Sequence, residues 1–192
     1  MSRKVNLFDA LKSSYGNKTS ENNIKSKGFV KDLSLSNDNE EVWYHPTKKK
    51  LLYNVAGTHN LSDVGTDIYL GLGKLKDTNR YKQAKKTLEQ AKSKYNPQKT
   101  TITGHSLGGT IAQGIRQGND KLFVLNSGYT IGQKTRSNGN KSHHFRTEGD
   151  LVSLLGSGAK NMKTMINPSM KTPFNILQSH DIDNIKAAKI FV

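Results

Sequence analysis

The stretch TITGHSLGGTIAQ, residues 101–113, decides the fold of this chain. A β-prone run leads into Gly104, and a helix-compatible run starts directly after Ser106. The serine stands in Gly-x-Ser-x-Gly, the pattern of a nucleophile elbow, a sharp strand-to-helix turn that presents a serine hydroxyl. The positions two before and two after the serine must be small because they meet in such a turn, and Gly104 and Gly108 satisfy that demand. We therefore predict that Ser106 is a nucleophile rather than part of a structural glycine-rich turn.

Short apolar runs alternate with helical or polar stretches along the rest of the chain. Only 33% of the 192 residues are hydrophobic and the mean hydropathy is -0.71, so the core material is concentrated in a few runs. These runs are LLYNVAG, TTITG, KLFVLNSG and HHFRT. Their spacing favours an α/β domain. Because neither an internal repeat nor a linker is visible, we expect residues 1–192 to form a single domain.

Hydrophobic spacing and turn residues predict the other elements. Residues 4–15 have the spacing of a short amphipathic helix, and the polar residues 16–28 are interpreted as a surface loop. FVKDLSL and EVWYHPTKKKLLYNVAG predict edge strands and a hairpin. Asp77 or Thr78 can cap a helix over residues 79–95. Further predicted elements are strands at 100–104 and 121–126 and a helix at about 107–117.

The charge balance indicates an affinity for anionic surfaces. The chain has 30 basic and 15 acidic residues, for a net charge of +15. Such an excess favours association with acidic lipid headgroups or nucleic acid, although lysine and asparagine usage typical of AT-rich genomes explains it equally well. The basic residues are mostly lysine, and no zinc-finger, RNA-binding or basic heptad motif occurs. An anionic membrane surface is therefore a candidate partner, whereas no specific nucleic acid is expected.

The cysteine content and the search for targeting signals bear on where the protein is located and on whether it binds a metal. The absence of cysteine excludes disulfides and thiolate metal sites. We find neither a signal peptide nor a run of about 20 apolar residues that could span a membrane. We therefore expect a soluble or peripherally membrane-bound protein inside the cell. No metal is expected either, since the histidines lack ligand spacing and His143 and His144 would point to opposite faces of a strand.

Two motifs together resemble the class 3 lipases, a fungal-lipase-like branch of the α/β hydrolases. They are GHSLGG after its strand and VAGTHNLSDVGTD about fifty residues upstream. The resemblance extends over roughly residues 42–185 and implies a compact α/β-hydrolase fold, with a central, mostly parallel sheet, flanking helices and trimmed loops. The chain departs from the family pattern at Val55 and Ala56, where the family often has Phe-Arg, and at Val64, where it often has Trp.

The same resemblance implies an oxyanion hole, the set of donors that stabilises a negatively charged intermediate. It would comprise the backbone N–H of Leu107 together with the N–H and hydroxyl of Thr58, which follows Gly57 at a strand end. Asp63 and Asp67 match the family's acidic positions and are interpreted as anchors of the following loop. Residues 61–76 have a helical pattern that fits either a small lid or an amphipathic core helix.

A serine nucleophile needs a base, and the base needs an orienting acid. In α/β hydrolases the order is serine, acid, histidine, which favours His180 as the base. The other histidines are His45 and His59 before the elbow, His105 within it, and His143 and His144 before the best acid. That acid is Asp150, because GDLVSLL resembles the family's acid-bearing segment. Its competitors are Glu148, Asp181 and Asp183.

The predicted function is hydrolysis of lipid esters, by an acylglycerol lipase or phospholipase, through a Ser106–His180–Asp150 triad and an acyl-enzyme intermediate. This chemistry requires no cofactor. Protease and thioesterase activities use the same triad, and only the resemblance favours lipid esters. The alternative is a catalytically silent hydrolase-fold module that binds an anionic membrane or a protein partner. The oligomeric state is not indicated by the sequence.

Overall fold

The computed structural model describes residues 4–58, 74–128 and 141–147, the backbone of 162–165, and residues 182, 190 and 192. Seven strands form one sheet in which the spatial order equals the chain order, β1 to β7. Strands β1, β2 and β3 pair antiparallel, and all pairs from β3 to β7 are parallel. The prediction of a central, mostly parallel sheet is confirmed. The strands are β1 (Val30–Lys31), β2 (Glu40–His45), β3 (Lys50–Val55), β4 (Lys99–His105), β5 (Lys121–Leu125), β6 (Ser142–Thr147) and β7 (Met162–Met165).

Helices cover both faces of this sheet. Helices α1 (Leu7–Ser13) and α2 (Lys18–Lys25) pack on one face, and α3 (Asn79–Tyr95) and α4 (Ser106–Ile115) pack on the other. A short 3-10 turn, Leu75–Asp77, precedes α3. Thr78 caps α3, as predicted, because its hydroxyl accepts a hydrogen bond from the Tyr81 N–H. None of the helices within the described ranges has the length and apolarity that a membrane span requires.

The central strands are apolar on both sides because each face is covered. In β5, Leu122 and Val124 pack with α3 and α4, whereas Phe123 and Leu125 pack with α1. Such continuous apolar runs are typical of parallel strands buried between helical layers. The short run KLFVL is therefore a central strand, and its neighbour β4 carries the serine motif at its carboxyl end.

The first and last described residues are joined by backbone hydrogen bonds. The Leu7 N–H donates to the Ile190 carbonyl at 2.8 Å, and the Val192 N–H donates to the Val5 carbonyl at 3.0 Å. Residues from the far end of the chain thus fix the start of α1 against the sheet.

The structure corrects one sequence-based expectation and adds one strand. The interpretation of residues 16–28 as a loop was wrong, since they contain α2, which the Asn17 side chain caps and the fully buried Ile24 fixes to the core. One apolar anchor in a polar segment gives too weak a helical pattern to recognise. Strand β7 was not predicted because it is short. The predicted helix over 61–76 lies mainly outside the described residues.

Candidate active site

The predicted strand–turn–helix corner is present at Ser106. Strand β4 ends at His105, and α4 begins with the serine itself. The backbone of Ser106 has φ +55°, a left-handed conformation that costs an ordinary L-residue roughly 1–2 kcal/mol. A non-glycine residue in this conformation needs support from its surroundings, and such strain is common at functional sites.

Glycines on both sides of Ser106 let the backbones approach closely. A Cβ atom on Gly104 would lie 2.6 Å from the Gly108 carbonyl oxygen, and one on Gly108 would lie 2.3 Å from the carbonyl oxygens of Val55 and Ala56. Real Cβ atoms do not come so near to backbone atoms. Gly104 must therefore be small because it contacts Gly108, and Gly108 must be small because it contacts the end of β3.

The Ser106 hydroxyl is buried, with 2% of the residue exposed, and Oγ has no hydrogen-bond partner among the described residues. Unpaired buried polar atoms are rare in folded proteins and call for an explanation. The serine also lies at the first turn of the ten-residue helix α4. Backbone N–H groups there, including that of Leu107, have no carbonyl partner within the helix and favour negative charge.

The end of β3 lies directly against the serine. A Cβ on Gly57 would be 3.0 Å from the Ser106 Cβ and 2.9 Å from the His105 carbonyl oxygen. Thr58, the expected oxyanion donor, follows in the chain and is the last residue described before a gap. The structure thus brings the segment Gly57–Thr58 beside the elbow, while the roles of Thr58 and Leu107 as donors stay predictions.

Tyr15, at the carboxyl end of α1, connects these two segments. Its hydroxyl accepts a hydrogen bond from the Gly57 N–H at 2.7 Å and lies 2.8 Å from Nδ1 of His105. This contact directs the His105 ring towards Tyr15. The sequence did not single out this function for Tyr15, because the residue continues the apolar stripe of α1.

Arg80, near the start of α3, fixes the same loop from the other face. Its Nη2 donates to the carbonyl oxygens of Ala56 and Gly57, the latter at 3.0 Å. Burial lowers the pKa of the Arg80 guanidinium, an effect that the nearby Tyr15 and Glu40 oppose. The half-buried guanidinium of Arg80 thus binds two successive backbone carbonyls, which indicates that it helps to fix the loop conformation.

Asn126 connects the ends of β5 and β6. It has φ +49°, its Oδ1 accepts from the Thr147 N–H at 2.8 Å, and its Nδ2 donates to the Thr147 hydroxyl at 3.0 Å. Asparagine adopts this left-handed conformation more readily than most residues. These two hydrogen bonds fix Thr147 at the end of β6, three positions before the predicted acid, Asp150. Nothing in the sequence alone distinguished Asn126 from an ordinary loop asparagine.

The predicted base and acid lie outside the described residues. So do the competing acids, the loop aspartates and one of the alternative histidines: Asp150, His180, Glu148, Asp181, Asp183, Asp63, Asp67 and His59. Their roles stay predictions. Of the histidines that are described, His144 is buried, and burial, together with the charges of Arg116 and His143, lowers its pKa to about 4. His45 lies at the opposite end of the strands. Within the described ranges, no cluster of acidic residues and histidines could hold a metal.

A mostly parallel sheet between helical layers, with a serine in a strained turn between a central strand and its helix, defines an α/β-hydrolase-like fold. Solved structures agree. The fold is similar to that of MDLA from Penicillium cyclopium (N225Q mutant), at a TM-score of 0.55 and 14% identity over 97% of this chain and 83% of that one. It is also similar to Rhizomucor miehei lipase, at a TM-score of 0.53 and 15% identity over 77% of this chain and 61% of that one. A third similar structure is the mono- and diacylglycerol lipase of Aspergillus oryzae, at a TM-score of 0.51 and 16% identity over 80% of this chain and 71% of that one. The chain thus spans less than two thirds of the Rhizomucor lipase.

The sequence comparison points to one family. The family model for class 3 lipases matches residues 28–113, which include β1 to β4 and most of α4. No curated protein matches the sequence significantly. The matched segment contains both motifs, so the resemblance seen in them is confirmed, and the solved lipases share the fold.

We expect Gly108→Ala to destabilise the protein strongly, because the added methyl group meets two backbone carbonyls that cannot move aside independently. Overpacking of this kind costs about 1–3 kcal/mol and sometimes more. The matched control is Gly118→Ala, where the Cβ meets open space and only the positive φ of +50° is unfavourable, at about 1 kcal/mol. Urea unfolding measures both. Equal midpoints for the two variants would contradict the close approach.

Proposed function

We propose that the chain is a carboxylic ester hydrolase that acts on lipid esters through an acyl-enzyme on Ser106. The observation that carries this proposal is the buried serine hydroxyl, held without a described hydrogen-bond partner in a positive-φ turn at a helix N-terminus. A structural serine would gain stability from a hydrogen bond, whereas a nucleophile must keep its oxygen available for a substrate and a base. The class 3 lipase match supports lipid esters as the substrate class.

The proposed reaction has two halves. In the first, Ser106 Oγ attacks the ester carbonyl carbon while His180 takes its proton and Asp150 orients the imidazole. The tetrahedral oxyanion receives hydrogen bonds from the Leu107 N–H and from Thr58. Its collapse breaks the ester bond, and the leaving alcohol takes the proton from His180. In the second half, water attacks the acyl-serine with the same base, and the carboxylic acid leaves. Acylglycerols and phospholipids both fit this scheme.

The geometry at Gly57 supports the oxyanion role of Thr58. Tyr15 binds the Gly57 N–H, and Arg80 binds the carbonyls on either side of it. The backbone that leads into Thr58 is therefore fixed before a substrate arrives. Preorganised donors are effective because no reorganisation is needed during the reaction, and each contributes about 3 kcal/mol to transition-state stabilisation.

Ser106→Ala should fold as the parent does and lose hydrolysis of a short p-nitrophenyl ester by at least about 1000-fold, because no other group can form the acyl-enzyme. Ser142→Ala replaces another buried serine, at the opposite end of the sheet, and should keep its activity. A fluorophosphonate probe should label the parent at Ser106 and leave Ser106→Ala unlabelled. Absence of labelling and turnover in the folded parent would instead support the catalytically silent binding module.

The other triad members can be assigned with the same assay. His180→Ala and Asp150→Asn should each reduce turnover by at least about 1000-fold. Glu148→Gln, Asp181→Asn and Asp183→Asn serve as controls and should stay close to the parent. A large loss in one of these controls, combined with an active Asp150→Asn, would move the role of the acid to that residue.

Tyr15→Phe should reduce kcat about tenfold with little change in KM, because the Gly57 N–H loses its acceptor and the strand end beside the elbow loosens; an unsatisfied buried donor costs about 1–3 kcal/mol. Tyr44→Phe is the control, since this partly exposed ring stacks on Tyr95 far from the serine. Steady-state kinetics and urea unfolding of both variants test the prediction. A raised KM with an unchanged kcat would show that Tyr15 does not act through the oxyanion segment.

We further propose that lysines beside the active-site edge hold the protein on anionic membranes. Lys74, Lys76 and Lys82 are exposed around the start of α3, whose Arg80 reaches the end of β3. Lysines near an anionic bilayer contribute about 1 kcal/mol each. Their placement would direct the serine edge towards the lipid, which suits a lipid-ester substrate.

Sedimentation with phosphatidylserine vesicles tests this orientation. Replacing Lys74, Lys76 and Lys82 together with glutamine should weaken binding by about one to two orders of magnitude, and added salt should weaken binding of the parent. The control removes three charges from the opposite edge, at Lys48, Lys49 and Lys121. Equal weakening by both triple variants, or salt-insensitive binding of the parent, would refute the proposed orientation.

A further inference from the structure

Four lysines lie together at the amino edge of the sheet, opposite to the serine. Lys50, Lys99 and Lys121 begin the adjacent parallel strands β3, β4 and β5, and Lys48 lies in the hairpin turn before them. Lys50 and Lys99 are direct register partners across two strands. Like charges placed opposite each other on neighbouring strands destabilise a sheet. Their concentration here therefore needs an explanation.

These lysines line a cavity of about 210 Å³ that also has an apolar side. Its apolar lining comes from the segments before α1 and before β1, from strands β3 and β5, and from the last residue of the sequence: Val5, Phe29, Leu51, Leu52, Phe123 and Val192. Small-ligand sites commonly combine an apolar surface with a few convergent polar groups. The cavity has that composition, with a single sign of charge.

No described carboxylate neutralises this cluster. Several lysines elsewhere in the described ranges are paired with carboxylates, as Lys31 is with Glu41, Lys92 with Asp120 and Lys94 with Asp32. Within the described ranges, Lys48, Lys50, Lys99 and Lys121 have no such partner. Burial, followed by the charges of Lys99, Lys48 and Lys121, lowers the pKa of Lys50. Lys48, Lys50, Lys99 and Lys121 therefore place positive charge beside an apolar surface.

This cavity is separate from the active site. Strand β4 spans seven residues, from Lys99 to His105, so at about 3.3 Å per residue its ends are about 20 Å apart. This distance exceeds the screening length of about 8 Å at physiological salt. The lysines at the amino edge therefore neither bind a substrate at Ser106 nor face a membrane that the serine edge contacts.

We propose that the cavity binds a small anion that carries an apolar chain, with a carboxylate or phosphate group at Lys50 and Lys99. The apolar chain would lie on Phe29 and Phe123. Ionised fatty acids and lipid phosphates share this chemistry, and the size of the cavity limits the enclosed part to a headgroup and a few methylene groups. The site does not depend on the activity proposed for Ser106.

Calorimetric titration of the full chain with hexanoate and with hexyl phosphate tests the site. At least one of them should bind one-to-one with a Kd below about 1 mM at 0.15 M salt. The double variant Lys50→Gln/Lys99→Gln should bind at least tenfold more weakly. The control variant Lys82→Gln/Lys86→Gln also removes two positive charges, from the exposed face of α3, and its Kd should stay within twofold of that of the parent. Preference for hexanoate would identify a fatty carboxylate as the ligand class, and preference for hexyl phosphate a lipid phosphate.

Control ligands and control variants show which part of the proposal is wrong if an expected result is not obtained. Hexanol and inorganic phosphate, which lack the charge and the chain respectively, should each bind at least tenfold more weakly than the better amphiphile. Ser106→Ala should bind as the parent does, so a failure of the hydrolase proposal would leave this result unchanged. The site variant should unfold at the same or a higher urea concentration, since like charges have been removed. No binding by either amphiphile, equal binding by the site variant, or equal binding of hexanol or phosphate would overturn the proposal.

Discussion

The close contact between the start of α4 and the end of β3 is the constraint on which the site depends. Gly108 packs on the carbonyl oxygens of Val55 and Ala56, and Gly57 packs on Ser106. The contacts are with backbone and Cβ atoms, so no rotamer change can make room for a larger residue at either glycine. The strained conformation of Ser106 persists because the surrounding backbones leave it no alternative. The position of the serine and that of the neighbouring strand end are therefore set by a single packing arrangement.

Around that contact, three side chains from different elements fix the loops at the carboxyl edge of the sheet. Tyr15 binds the amide of Gly57, Arg80 binds its carbonyl, and Asn126 binds both polar groups of Thr147. Loops at this edge carry the reactive groups in open α/β sheets. A side chain that binds the backbone of a loop restricts its conformation, and here Tyr15 and Arg80 bind the N–H and the carbonyl of the same residue.

The features that could be predicted from the sequence are those that depend on residues close together in the chain. The elbow could be recognised because its requirements fall within five residues, and α3 because its apolar stripe and its Thr78 cap are contiguous. Tyr15, Arg80 and Asn126 could not be found in this way, since each acts on a backbone group 21 to 42 positions away. Helix α2 was missed for a related reason: its stability comes from packing of Ile24 rather than from its own pattern. The assignments of Asp150 and His180 rest on chain order and resemblance, and they stay predictions.

The backbone bonds from residues 5 and 7 to residues 190 and 192 have a consequence for biosynthesis. During translation α1 is made early, but the segment that fixes its beginning follows all other described residues out of the ribosome. Helix α1, which ends shortly before Tyr15, therefore gains these two backbone bonds only after residues 190–192 have been made. A nascent chain stalled before residue 190 therefore lacks both backbone bonds that hold the start of α1.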